Sequence, residues 1–385
     1  MNKTRHAYLL ASACAAALFG TALTGCSPGV PDTMKIGVLV AQSGPFGLRG
    51  KDLVNGAQLA ADQLNANGYK INGKPVRIEI VSVDDKGEVE AAKEGAQSLL
   101  DQGVTAIIGP LNTPQAVPVI PIVAAKGTPQ FFTATAADLV NLGKGNAFRL
   151  LANDDLQGKA MAVFAKDDLH GQRIVTIVEQ GDYGRGLNKA FVAATPDAKQ
   201  RIVLSMELAS KDSVTPEMAG KIKAAGADVV TLFAREPQLK SLFASLKEVG
   251  YTNVVVLGTN VVRNKNVAGL TIPVKAMYAT ATAIDANEFP AGKNFLAAFA
   301  NKYKSSPVWG AHYAYDGVYA LADAAQRSDS MSNSDLVATL KRIDPATRVN
   351  QQMRFIDSGE QKYPNIGVYK VERGVWALQM VSASW

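Results

Sequence analysis

The stretch from Val104 to Leu139, VTAIIGPLNTPQAVPVIPIVAAKGTPQFFTATAADL, does most to limit the folds open to this chain. Val104–Ile108 is a short β-branched apolar run and reads as a buried strand. Gly109-Pro110 stops it, and Thr113-Pro114 reads as an N-cap followed by proline at the first helical position. An apolar stretch carrying Pro118 and Pro121 follows and breaks at Lys126-Gly127. A second strand, Pro129–Phe132, runs into Thr133-Ala134-Thr135, with Asp138 three residues beyond Thr135 as a capping-box partner. Two strands thus each deliver a hydroxyl and a helix N-terminus to one edge of a sheet. Free N–H groups and the positive end of a helix dipole suit a carboxylate there. The plainer alternative is that Thr113 and Thr135 only cap their own helices.

The segments before this stretch follow the same alternation. Met34–Val40 is a strand, and Gln42–Gly50 (QSGPFGLRG) is a glycine-punctuated turn. Asp52–Asn65 is a helix with Leu53, Val54, Ala57, Ala60, Ala61 and Leu64 on one face. Val76–Val83 alternates as a strand, and Glu88–Leu100 is a helix. Strands alternating with helices imply right-handed crossovers and a parallel sheet. Ligands of such sheets bind beyond the carboxyl ends of the strands, where the turns at Gln42–Gly50, Gly109–Thr113 and Thr133–Thr135 all lie.

The pattern restarts after Phe148. Gln157–Lys166 is a helix, Arg173–Val178 a strand, and Asp182-Tyr183-Gly184-Arg185-Gly186 a turn leading into a helix. Arg201–Glu207 is a strand, and a helix begins at Thr215-Pro216-Glu217 and ends at Gly226. Asp228–Phe233 is a strand, Pro237–Val249 a helix, and Asn253–Leu257 a strand running to Gly258-Thr259-Asn260. Phe295–Tyr303 and Tyr313–Arg327 are further helices. From Met353 the chain reads as three strands, MRFID, IGVYKVE and VWALQMV. The expected fold is α/β, with two doubly wound parallel-sheet lobes; 385 residues that are 47% hydrophobic suffice for two cores.

Lys3, Arg5 and His6 precede an uncharged Ala-rich run to Gly25, the layout of a secretion signal. The run ends in Leu23-Thr24-Gly25-Cys26, which resembles a bacterial lipobox, so Cys26 is the expected lipidation site. The rival is an uncleaved membrane helix, for which the run is barely long enough. On the lipoprotein reading, 1–25 is the signal peptide and 26–33 a tether, and the folded part keeps no cysteine. The 40 basic residues against 34 acidic ones are scattered, without a Lys/Arg block, and give no footprint for nucleic acid. Three histidines and two cysteines leave little for metal or thiol chemistry, and no cofactor or metal is expected. A dinucleotide site is disfavoured because Gly181–Gly186 has G-x-x-G-x-G spacing, even though Glu207 ends the next strand. Gly44, Gly47 and Gly50 likewise lack that fingerprint and the GK[ST] of a P-loop.

The runs SGPFGLRGKDLVNGAQLAADQLNANG, INGKPVRIEIVSVDD, AIIGPLNT, FFTATAADL, RIVTIVEQGDYGRGLNKAF and SPVWGAHYAYDGVYALADA closely resemble the branched-chain amino-acid class of bacterial periplasmic binding proteins. The resemblance covers essentially all of the chain after Thr33. It implies a type I periplasmic binding protein fold, two lobes joined by a three-crossing hinge near Ala152, Thr282 and Pro364. The lobes are then 34–152 plus 282–363, and 153–281 plus 364–385. It further implies a monomeric receptor that hands a trapped small molecule to an inner-membrane ABC permease and catalyses no reaction. Localisation is then periplasmic or cell-surface, by a lipid anchor.

The resemblance also implies a site. The residue gripping the ligand carboxylate matches Thr113, with Leu111 and Asn112 beside it. The second hydroxyl matches Thr135, with Thr133 and Ala134 before it, and Tyr183 closes from the other lobe. Ser43, Phe46 and Arg49 belong to the first loop. Arg49 stands where the class has an aromatic residue, and neutral Asn260 where it has the acid that binds an ammonium group. Another aromatic position falls on Arg235 or Glu236. A cation gained and a carboxylate lost favour a net negative ligand, so the expected ligand is an organic acid gripped by a guanidinium. The alternative is that Arg49 is a solvated rim residue and Glu236 supplies the missing acid. A sensor that signals to a membrane receptor is the alternative to transport. His170, His312 and the region of Trp309 read as packing or as pocket lining.

Overall fold

The computed structural model describes residues 30–350 and 353–382. The expected signal peptide, Cys26 and most of the expected tether lie outside them. Among the described residues no helix is long and apolar enough to cross a membrane.

Among the described residues there are fourteen strands: β1 Thr33–Val40, β2 Lys70–Ile71, β3 Lys74–Pro75, β4 Arg77–Asp84, β5 Ala106–Ile108, β6 Gln130–Phe132, β7 Ala147–Arg149, β8 Ile174–Glu179, β9 Ile202–Leu208, β10 Val229–Phe233, β11 Val255–Gly258, β12 Ala276–Ala281, β13 Ile366–Glu372 and β14 Val375–Ser382. They form a five-stranded sheet ordered β4-β1-β5-β6-β7 and a seven-stranded sheet ordered β14-β13-β12-β11-β10-β8-β9; β2 and β3 make a small hairpin. The first sheet is wholly parallel. In the second, β8 to β12 are parallel, and β13 and β14 add an antiparallel edge. This is the doubly wound α/β architecture expected from the alternation. The chain passes between sheets after β7, after β12 and before β13.

The strands β5, β6, β7, β8, β10 and β11 are buried along their whole length, as strands covered by helices on both faces must be. The helices Gly47–Ala66 and Ala311–Ser328 pack together over the first sheet, and their apolar faces fill one core with Ile36, Val38 and Phe131. Separate apolar clusters cover the two faces of the second sheet.

Several local expectations are corrected. The turn Gln42–Gly50 is shorter than expected, because a 3-10 turn spans Gly44–Phe46 and the helix starts at Gly47. Asn112 takes the N-cap position and Thr113 is the first helical residue, with Pro114 second. Pro118 and Pro121 lie inside that helix, Thr113–Ala124. They fall with Pro114 on its less buried side, where carbonyls freed by a missing N–H can meet water. The capping box at Thr135 does not form. The helix there is only Leu139–Leu142, with Asp138 at its N-cap, so one helix N-terminus and one extended loop face the cleft. MRFID is not a strand; Phe355 makes a single bridge with Gln361. Strand β12 and the helix Asn333–Leu340 were not expected.

Candidate functional site

Five parallel strands that face each other across the two sheets end in loops that converge. Strand β5 leads into Leu111-Asn112-Thr113, β6 into Thr133-Ala134-Thr135, β8 into Tyr183, β10 into Arg235 and β11 into Asn260. All of these, with Arg49, Pro114, Val261 and Trp309, line one cavity of about 30 Å³ between the sheets. That is room for about two waters, so the cleft is drawn nearly shut. Ser43, Phe46 and Glu236 do not line it. Ser43 is an exposed N-cap. Phe46 stands behind the wall, its ring centroid 5.7 Å from the Arg235 guanidinium. Glu236 is turned to Lys240 and to the Asn264 amide, so the residue after β10 that faces the cavity is Arg235.

The polar groups divide into those already engaged and those left over. Tyr183 Oη lies 2.8 Å from Asn260 Oδ1 and 2.9 Å from Thr259 Oγ1. A phenol has one proton, so it donates to the amide oxygen and accepts from the threonine. Burial raises the Tyr183 pKa, which keeps it a donor. Arg235 donates to Glu179 at 3.1 Å. Arg263, just behind Val261, makes two 2.8 Å bonds to Asp285.

Two groups have no such partner. Arg49 makes no ion pair or hydrogen bond among the described residues; its guanidinium carbon lies 5.5 Å from the Trp309 ring centroid. Burial first, then the charge of Arg263, lowers its pKa to about 10, so it remains a cation at neutral pH. The Thr133 hydroxyl is buried and unpartnered. A half-buried cation and a buried orphan hydroxyl that line one cavity each cost free energy that an anionic oxygen would recover.

The loop that carries Thr133–Thr135 is fixed from behind by Arg149, the last residue of β7. Its fully buried guanidinium donates to the carbonyls of Ala134, Ala136 and Ala137 and pairs with Glu360 at 3.0 Å. The Asp154 N–H donates to the Thr135 carbonyl at 2.8 Å. The Asp154 carboxyl is 2% exposed, and neither oxygen has a well-formed hydrogen bond. Burial pushes its pKa up to about 7 against the opposing pull of the nearby Thr135 hydroxyl and Arg149. Asp154, Glu179 and Arg149 were missed in the sequence. The available signal was a charged residue ending a buried strand, in IVTIVE and AFR. His312 is buried with its ring 4.2 Å from that of Tyr313, burial lowers its pKa to about 3 so that it is neutral, and it belongs to the lining of a second cavity behind Trp309. His170 sits in an exposed left-handed turn.

A family profile described as periplasmic binding protein matches residues 33–374, and the chain belongs to that family. It is therefore a solute-binding protein of the ABC-transporter type, and the family's place is outside the cytoplasm. The chain is 26% identical over 344 residues to the Leu/Ile/Val-binding protein BraC3 of Rhizobium johnstonii, covering 88% of this chain and 92% of that one. It is 26% identical over 364 residues to an amino acid binding protein of Pseudomonas aeruginosa, covering 92% and 94%. Among solved structures, the leucine binding protein LivK of Thermotoga maritima superposes with a TM-score of 0.76 at 21% identity, over 90% of this chain and 98% of that one. A solute binding protein from Rhodopseudomonas palustris in complex with 3,4-dihydroxybenzoic acid gives 0.76 at 19% identity, over 91% and 98%. These two structures share the type I periplasmic binding fold with this chain.

Proposed function

We propose that the protein is the extracytoplasmic receptor of an ABC importer and captures a small organic acid by its carboxylate. The Arg49 cation, unpaired among the described residues, and the orphan Thr133 hydroxyl in the same cavity lining carry this reading. The lobes would be 34–152 plus 282–363 and 153–281 plus 364–385, moving about the crossings near Ala152, Thr282 and Pro364. A ligand would dock on Thr113, Thr133 and Thr135 and on Arg49, and closure would bring Tyr183, Arg235 and Asn260 over it. Closure needs a ligand that binds the closed form more tightly than the open one. The ligand is released unchanged, as a monomeric receptor delivers it to an inner-membrane permease. Cys26, after a cleaved 1–25 signal, would tether the chain by lipid.

A second reading has one observation behind it. Oε2 of Glu179 is buried without a partner behind Arg235, outside the cavity lining; a shift of Arg235 would turn it toward an ammonium group, which would make the ligand an amino acid. A thermal-shift panel of monocarboxylates, amino acids and primary amides separates the two. A ligand at a hundred times its dissociation constant adds about 2.7 kcal/mol. Shifts with acids lacking an amine support the proposal; shifts confined to leucine or valine overturn it.

A further inference from the structure

Trp309 stands between two cavities. Its first neighbour is the 30 Å³ space at Arg49 and Thr133; the second is a cavity of about 580 Å³ with Leu296, Val308, Val375 and Trp376 on its apolar side and Arg263, Lys265 and Asp285 among its polar lining. Among the described residues no other side chain lines both. The Arg49 guanidinium stacks against the indole from the small cavity, which Arg49 lines while the large one excludes it. The main chain that carries the indole is also anchored. Oδ2 of Asp52, from the helix that begins beside Arg49, accepts the backbone N–H groups of Val308 at 2.6 Å and of Trp309 at 2.8 Å.

We infer that Trp309 is the specificity-determining residue for ligand length, a partition that confines the carboxylate reader to short acids and shuts it off from an adjoining larger cavity with an apolar side. This rests on the anion reading above. Space at the cation suffices for a carboxylate and little more, whereas the cavity beyond the indole has volume for an alkyl tail and an apolar side formed by Leu296, Val308, Val375 and Trp376, with Arg263, Lys265 and Asp285 also in its lining. The partition makes the site reject a long acid by collision, since the tail has no path to surface that would favour it. Opening the partition would let each added methylene contribute about fourfold in affinity.

The test is a chain-length series, acetate, butyrate, hexanoate and octanoate, titrated by calorimetry into the full chain and into Trp309→Ala. The readout is the ratio of octanoate to butyrate affinity, because loss of the Arg49 stack weakens every acid alike and cancels in a ratio. The natural protein should prefer butyrate, and Trp309→Ala should reverse the preference by at least about tenfold. Trp309→Phe, a smaller change that keeps an aromatic ring, should shift the optimum toward hexanoate and decides the matter if the alanine variant does not fold. Acid binding with the same length profile in the natural and variant proteins overturns the partition and leaves the anion reading standing. Binding of no acid by any of them overturns both.

Discussion

Arg235 reaches the cleft already neutralised, its Nε 3.1 Å from Oε1 of Glu179. Arg49, lining the same cavity, has only the face of Trp309. Two guanidiniums that line one cavity from opposite sheets therefore do different work, and Arg49 is the one with charge to spare. Replacing it by methionine should weaken binding of a carboxylate probe by at least about 30-fold, since truncating one side of a desolvated charge pair costs about 2–5 kcal/mol. The same change should raise the melting temperature of the unliganded protein by about 1–3 °C, because an uncompensated, half-buried cation leaves the cavity lining. A rim arginine would move neither quantity. Calorimetric titration and a melting curve on one preparation read both.

The Asp154 carboxyl gives the stability a pH dependence whose sign can be worked out. Its pKa is raised by burial from 3.8 to about 7, so between those values the folded chain holds a proton that the unfolded chain has released. Stability from this group is complete below about pH 4 and is lost as pH rises through 7. Arg149 and Thr135 oppose the shift and Asp155 adds to it. Asp154→Asn removes the titration. Urea unfolding at pH 5 and pH 8 should show the variant gaining about 2–3 kcal/mol on the natural protein across that interval. Parallel pH profiles would mean that this carboxyl titrates outside that range.

The buried Arg149–Glu360 pair holds the third loop in shape. Glu360→Ala leaves the guanidinium fully buried without its counter-ion and should cost about 3–5 kcal/mol in a denaturant titration. Glu360→Gln keeps an acceptor and should cost less. Because the same guanidinium binds the carbonyls of Ala134, Ala136 and Ala137, the alanine variant should also weaken carboxylate binding.

Much of this fold was legible because its signals are local. Apolar runs such as VTAII and RIVTIV need no tertiary information to read as buried strands, and Thr215-Pro216 caps its helix as its sequence implies. The elements missed have weaker local patterns. Strand β12 (AMYATA) is rich in alanine and follows a proline and a lysine. MRFID has strand composition, yet no neighbour is available for it beyond one bridge. At the site, loop positions could be read from the ends of strands, but engagement could not. Which arginine is neutralised depends on Glu179, 56 residues away along the chain from Arg235. The expected capping role of Thr135 failed for a similar reason: its loop is held by Arg149 and by the start of the next helix, and no helix of useful length follows it.

The last prediction concerns the contact that sets Trp309 in place. A Cβ on Gly56 would stand 2.0 Å from the Ala311 carbonyl oxygen and 2.8 Å from its carbon, so the helices Gly47–Ala66 and Ala311–Ser328 meet backbone to backbone at this point. The obstruction is main chain, which has no rotamer by which to yield; the helices must separate. Gly56→Ala should cost at least about 3 kcal/mol, the upper part of the range for overpacking, and Ala311→Gly should fail to rescue it because the carbonyl remains. Gly220, in the helix Pro216–Ala224, has nothing within 4 Å of a built Cβ. There the same substitution should be neutral or stabilising by up to about 1 kcal/mol. Separation at Gly56 also pulls Ala311 and the preceding Val308–Trp309 away from Asp52 on the opposite helix. Gly56→Ala should therefore lower ligand affinity as well as stability, with Gly220→Ala altering neither adversely. Denaturant midpoints and titrations on the three variants decide whether this close approach supports the cleft wall or only the core beneath it.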